Sequence, residues 1–328
     1  MSFESSAERL SFCRKRGVAL RKNSLNHSRS SLSLLSLINQ DEFAGGNAVL
    51  YTLIDGAKFA AFKALNLPSD CSVEVHSLLG ESAQMDATYA GPLLVMHVRG
   101  RHCPTLNKFL NTAESSLFLS LIVSDAPLPD LLMSLKNLTE VVHDDGTEWV
   151  MRYYDPLILP YWLEILHVDQ REIALAGIVE WLYIDAAGQP TSIAYRDARG
   201  RPLLDNKPMR LSQYQCDILM HKAMPFMIMH QLQIDDPQVL EAVPCDERYQ
   251  FLSQQLEKAQ AYRLASVTDI KSYCMLSLMF GPDFDTVPFI VDVLQREVPT
   301  LSFSETILTW TPEQWNLLEK IFATRIVN

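Results

Sequence analysis

Glycine is scarce in this chain, and the scarcity excludes more chemistry than any motif suggests. Twelve glycines in 328 residues leave little material for phosphate-cradling loops, which need several glycines just after a strand. The doublet Gly45-Gly46 precedes an apolar strand instead of following one. There is no Gly-x-Ser-x-Gly elbow, and Gly80-Glu-Ser-Ala-Gln84 lacks the second glycine that the tight strand-to-helix turn demands. Six cysteines are scattered with no Cys-x-x-Cys pair, so reduced thiols and a cytoplasmic location are expected. No uninterrupted apolar run approaches the roughly 20 residues of a membrane span. Positive charge is also short. A net charge of −11 argues against a general nucleic-acid binder, whose affinity rests on neutralising phosphates.

What is present is an ordinary globular composition, 48% hydrophobic and 20% charged, which excludes wholesale disorder. The charge is unevenly placed. Residues 1–29 hold seven Lys/Arg against Glu4 and Glu8, a net of +5, so the rest of the chain carries −11 − 5 = −16. This basic, serine-rich start runs into Ser30-Ser-Leu-Ser-Leu-Leu-Ser-Leu-Ile38. It is not read as a signal peptide, because the apolar run is interrupted by serine, starts too deep and lacks a small-x-small cleavage site. Residues 1–46 are instead expected to form a basic arm, mobile or ordered by a partner.

Two grammars follow. From 47 to 200 the pattern alternates strands and helices. Val49 to Ile54 reads as a buried strand ended by Asp55-Gly56, with a helix from Ala57 to Leu67. Val73 to Leu79, Leu93 to Val98 and Leu117 to Val123 are further strands. Ser124 or Asp125 can cap a helix striped by Leu128, Leu131, Leu132, Leu135 and Leu138. Asp144-Asp145-Gly146 is a hairpin signal between two short strands, and a second hairpin turns at Ala186-Ala187-Gly188. Asp155 is placed as a helix N-cap with Pro156 behind it, while Pro160 predicts a broken first turn. From 205 to 328 helices alone are expected. Ser212-x-x-Gln215 and Thr311-Pro-Glu-Gln314 are capping boxes, Asp246 and Thr268 start helices, Gly281-Pro282 ends one and Thr286-Val-Pro288 opens another. The fold class is therefore α/β (α+β): a mixed-sheet lobe with flanking helices, then an all-helical lobe, with the change of grammar near 197–210.

Few residues suggest chemistry. His97, His102 and Cys103 form the one dense His/Cys group, but two arginines lie between the ligands and no fourth ligand is evident, so no metal is expected. Asp70 and Glu74-Val-His76 imitate a metal-nuclease core only faintly. Serine stands where proline belongs, and histidine stands where lysine would stabilise charge at the phosphate. Asp55 and Asp155 could act as paired carboxylates. The stronger reading is structural, because an aspartate at a strand exit before Gly or Pro accepts the free N–H groups of the turn or helix that follows. No cofactor is implied. The helix from Ser212 carries Met220, Met224, Phe226 and Met227, adaptable side chains that either fill a core or line a partner groove.

Four phrases occur in a telling order: Tyr51-Thr-Leu-Ile-Asp55-Gly56-Ala57, Gly91-Pro92, Leu117 to Ser124, and Tyr153-Tyr154-Asp155-Pro156. Over about residues 47–170 this collinear set resembles the effector-chaperone (adaptor) family of bacterial type VI secretion. Ser266-Val-Thr-Asp269, Phe280-Gly-Pro-Asp-Phe-Asp285 and Leu308 to Leu318 look like that family's C-terminal lobe. The resemblance implies a cytoplasmic protein without catalysis. Such a protein clamps the N-terminal region of a toxic effector between its two lobes and helps load it onto the spike tip. Its implied partners are the effector and the spike-tip protein, with no nucleic acid and no membrane insertion. The basic arm and Pro160 depart from the family pattern. Two other functions compete with this one: a toxin-type hydrolase or nuclease using Asp55 and Asp155, and an immunity-type protein that blocks a toxin.

Overall fold

The computed structural model describes residues 48–57, 74–79, 91–97, 119–186, 188–194, 208–296 and 301–323. They form two compact units, one running to Ala223 and one starting at Met224. The fold is α+β with a helical C-terminal part.

The first unit is built on a six-stranded antiparallel sheet of order β2-β3-β1-β4-β7-β8. Its strands are β1 (Val49–Asp55), β2 (Glu74–Ser77), β3 (Pro92–His97), β4 (Leu119–Ser124), β7 (Ile178–Ile184) and β8 (Pro190–Ala194). β1 is paired on both sides, by β3 and by β4. That central place explains why its sequence is apolar but for Thr52 and the terminal Asp55 and does not alternate. Tyr51 and Leu53 face one side, Thr52 and Ile54 the other, and all four are buried. The Tyr51 face packs on three helices: α1 (Leu128–Thr139), α2 (Leu159–Ile165) and α3 (Val168–Ala174). Of the expected stripe on α1, Leu131, Leu135 and Leu138 are buried in this core and Leu128 and Leu132 pack against it partly buried. The helix starts after Pro127 with no side-chain cap, and not from Ser124 or Asp125.

Inside it, Tyr153 meets Trp181 edge-on at 6.1 Å and donates its hydroxyl to Leu135 O at 2.7 Å. The Trp181 indole N–H reaches Ser120 Oγ at 2.8 Å. Both polar tips are thus satisfied where water cannot reach them, which burial of a tyrosine or tryptophan requires.

A second, three-stranded sheet has the order β6-β5-β9, from β5 (Glu140–His143), β6 (Glu148–Val150) and β9 (Met209–Leu211). The Asp144-Asp145-Gly146 turn joins β5 to β6, with Gly146 at φ 88°. β9 was not foreseen, since helices alone were expected beyond 205. It pairs with β5 in parallel, Val141 against Met209 and His143 against Leu211. The helix α4 (Gln213–Asp235) follows at once. Its capping box forms as expected: Ser212 N–H donates to Gln215 Oε1 at 3.0 Å, and Gln215 N–H to Ser212 Oγ at 3.3 Å. Cys216 and Leu219 lie in the core of the first unit, whereas the second unit starts within the same helix, at Met224.

The second unit is helical: the end of α4, then α5 (Arg248–Ala261), α6 (Val267–Phe280), α7 (Pro288–Leu294), α8 (Phe303–Leu308) and α9 (Pro312–Ala323). Leu252, Leu256 and Ala259 of α5 meet Ile270, Tyr273 and Cys274 of α6 in its core. The cap of α6 is Ser266, whose Oγ accepts the Asp269 N–H at 3.1 Å, and not Thr268. Gly281 ends α6 at φ 92°. Asp285 sits beneath two phenols, accepting from Tyr273 at 2.7 Å and Tyr262 at 3.3 Å. Burial and that hydrogen-bonded carboxylate push the Tyr273 phenol far up.

A candidate functional site at the exit of the central strand

Asp55 ends β1 and is 1% exposed. Its register partner on β3 is Pro92, and the next N–H along, that of Gly56, donates to Gly91 O at 3.1 Å. Two of the four sequence phrases therefore meet at one end of the sheet. The approach is close. A Cβ on Gly91 would lie 2.8 Å from Leu79 Cδ1.

The fourth phrase, Tyr153 to Pro156, follows the second sheet. After β6, Met151 N–H returns to Thr139 O at 2.8 Å and the buried Tyr153 ring anchors the chain. Arg152 is held between them and donates through Nη2 to Asp55 Oδ2 at 2.6 Å. The same nitrogen lies 3.6 Å from Asp155 Oδ2. One cation thus joins two carboxylates 100 residues apart in sequence. Both are buried, Asp155 at 5% exposure, while 47% of the arginine side chain remains exposed. Burial works against the charged guanidinium. The two aspartates outweigh it, Asp55 most strongly, and push Arg152 up. Burial and the Asp55 charge also raise the Tyr154 phenol.

Each carboxylate has a second duty. Asp55 Oδ1 accepts the Ala57 N–H at 3.2 Å, and Asp155 Oδ1 accepts the Leu157 N–H at 3.1 Å. These are Asx turns, in which the side chain imitates the backbone acceptor of a turn. Asp155 does not cap a helix directly, as expected from Pro156. The four residues Asp155 to Ile158 form turns, with Ile158 and Leu159 N–H both donating to Asp155 O at 2.9 Å. α2 begins only at Leu159, with Ile158 as its N-cap. Pro160 falls in the first turn of α2, where its missing N–H costs no hydrogen bond. The broken first turn that Pro160 predicted is this displacement.

Chemically, the joint holds two carboxylates, one guanidinium and a phenol. Each carboxylate already accepts from an N–H of its own turn, and Asp55 also accepts a charge-assisted bond. That arrangement fixes chain segments more readily than it moves protons.

The other sequence candidates lie elsewhere. His97 ends β3 and its Nε2 lies 2.6 Å from Thr52 Oγ1, with burial lowering the imidazole to about 4. His102, Cys103, Asp70 and Ser82 lie outside the described residues. Glu74 and His76 are 3.6 Å apart on β2. Among the described residues no group of three His, Cys, Asp or Glu side chains could hold a metal ion, and no helix is long and apolar enough to cross a membrane. On α4, Met220 is exposed and Met227 half-buried. Met224 packs against the helical core, and Phe226 is buried, stacked on Tyr249 at 4.6 Å. Arg152 directly precedes the Tyr153-Tyr154-Asp155-Pro156 phrase and is given no role by sequence reasoning. Its sole signal was proximity to Asp155, three residues on.

In the C-terminal phrases, Asp269 Oδ1 accepts the Ser304 N–H at the start of α8, at 2.8 Å. Thr311 and Gln314 form the expected capping box. No curated protein and no solved structure is detectably similar to the chain. Residues 50–172, which hold every residue of the joint, match the model of a family described as Domain of unknown function (DUF4123).

Proposed function

We propose that the protein is an adaptor of bacterial type VI secretion. It binds a segment of a toxic effector in the cytoplasm and helps seat it on the spike tip, without performing chemistry itself. One observation carries this reading. Three of the four N-terminal phrases by which the sequence resembles the effector chaperones meet at a single joint, Asp55–Arg152–Asp155 with Gly56, Gly91, Pro92 and Tyr154, and the strand of the remaining phrase, β4, pairs alongside β1. The matched stretch 50–172 encloses that joint. A set of short motifs that meet in space is far less easily met by chance than the same motifs in isolation.

The joint's chemistry supports the same reading. Asp55 and Asp155 spend their oxygens on turn N–H groups and on Arg152, as a scaffold requires and a general acid/base pair does not. On α4 the exposed Met220 is an adaptable side chain suited to holding an apolar segment, whereas Met224 and Phe226 are taken up by packing.

The test is genetic. Deleting the gene in the bacterium that carries it, with complementation by the wild type, is expected to abolish secretion of one neighbouring effector while the secretion apparatus still fires. Loss of all secretion would make the protein part of the apparatus. If the chain alone poisons cells, and Asp55→Asn relieves the poisoning, the toxin reading replaces this one.

A further inference from the structure

β6 is an edge that nothing among the described residues covers. In the small sheet it pairs with β5 alone, in the register Val142–Glu148, Val141–Trp149 and Glu140–Val150. The flanking bonds are His143 N–H to Thr147 O at 2.9 Å and Met151 N–H to Thr139 O at 2.8 Å. Hydrogen-bonded pairs alternate along an antiparallel ladder. The backbone of Trp149 therefore points at β5, and the N–H and C=O groups of Glu148 and Val150 point away from the sheet.

All three residues are exposed, and two of them are large and apolar: Trp149 at 39% and Val150 at 63%. Natural edges are usually blunted by charge, by shortness or by a covering element. This edge is short, yet it presents an indole and a branched aliphatic side chain beside its free backbone groups.

The edge is also held in place beforehand. Asp145 Oδ1 accepts both Thr147 N–H and Thr147 Oγ1–H, at 2.8 and 2.7 Å, which fixes the turn. Asp144 Oδ2 accepts the Gln213 N–H at the start of α4, at 3.3 Å. The Trp149 ring stacks flat on His143, 5.5 Å between centroids and 5° between planes, while His143 Nδ1 is 2.9 Å from Asp145 Oδ1. A strand added here would meet a formed hairpin.

Charge selects the occupant. Glu148 lies on the edge strand and Glu140 opposite Val150, both exposed. Asp144 and Asp145 follow at the turn, and Arg210 lies beyond β5 on the far strand. Two copies of β6 would bring like charges together, which disfavours self-pairing. We propose that β6 receives an extended segment of a partner protein that alternates apolar with Lys or Arg residues. Its apolar side chains cover Trp149, and its cations meet Glu148 and Glu140 on the opposite face. Assigning this segment to the effector rests on the adaptor reading; the edge itself does not.

The experiment uses the full chain and a fluorescein-labelled peptide of about eight residues alternating valine and lysine. Binding by anisotropy and slowed hydrogen exchange at the Glu148 and Val150 amides are expected. Val150→Pro removes one outward donor and no bond to β5, and should weaken binding by about tenfold. A peptide-side control is independent of how that variant folds. N-methylation of one alternate set of peptide amides should abolish binding, and of the other set should leave it.

If neither set matters, or an alternating serine–lysine peptide binds equally well, attraction is merely electrostatic and the proposal fails. Self-association of the chain that Val150→Pro abolishes would make the occupant a second copy, and would overturn it too. With the effector in hand, an effector complex unaffected by Val150→Pro would sink this edge while leaving the adaptor reading intact. Peptide binding without any effector complex would do the reverse.

Discussion

Replacing Arg152 with methionine keeps the aliphatic stem and removes the cation that Asp55 and Asp155 share. Removing one partner of a fully buried ion pair costs about 3–5 kcal/mol, because it leaves an uncompensated buried charge. Here the carboxylates are buried but nearly half of the arginine side chain faces solvent, so water takes over part of its role. The expected loss for Arg152→Met is accordingly about 2–3 kcal/mol. Asp55→Asn keeps an oxygen for the Ala57 N–H and removes the charge, and should cost about 1–2 kcal/mol. In the double variant no charge remains at Asp55 to be stranded, so the costs should fall short of their sum by about 1–2 kcal/mol. Urea denaturation with hydrogen exchange of β1 and β4 peptides reads this in the sheet unit alone. Strict additivity would refute the reasoning, as the 2.6 Å contact would then be a surface pair of no energetic weight.

Three further outcomes follow from the geometry. Burial depresses His97 from 6.5 to about 4, so between these values the unfolded chain binds a proton that the folded chain refuses. Stability should therefore fall as pH drops from 6.5 toward 4, by at most roughly 3 kcal/mol. His97→Gln, able to keep the Thr52 contact, should remove that component from the urea midpoint. Gly177→Ala should destabilise by about 2 kcal/mol or more, because its φ is +75° and the new Cβ would sit 2.9 Å from Ala126 Cβ. Gly91→Ala should cost less, since only the flexible end of Leu79 must yield; thermal unfolding compares the two. Ser120→Ala leaves the buried Trp181 indole N–H without its acceptor and should cost about 1–3 kcal/mol, visible as a lower Tm.

Much of the fold was legible because local signals and long-range packing agree. The largely apolar runs around Tyr51, Leu94 and Leu121, broken only by Thr52 and Ser120, are strands buried in the sheet. The Asp-Asp-Gly turn and the boxes at Ser212 and Thr311 carry their own hydrogen bonds, so neighbours in sequence suffice to reveal them. β9 escaped because three residues paired in parallel with a strand 68 positions earlier leave no periodicity to read. α3 escaped for a related reason. Its N-cap is His167, whose N–H is accepted by Gln170 Oε1 at 2.8 Å, a box built on a residue that rarely caps. Ser266 and Thr268 are both residues that cap helices, serine the better of the two, and the structure uses Ser266. At the candidate site the turn role of Asp55 was readable from the glycine that follows, whereas Asp155 reads as a helix cap and makes an Asx turn instead. The ion pair was not readable, because Arg152 and Asp55 are 97 residues apart and only the fold brings them within 2.6 Å.

The claim that the chain is an adaptor is tested most directly by co-expressing it with the product of the gene immediately downstream. Affinity capture followed by size-exclusion chromatography then gives the composition of any complex. The account predicts a stable one-to-one complex, with the neighbour insoluble or degraded when made alone. A neighbour that is soluble by itself and elutes apart from this protein would contradict it.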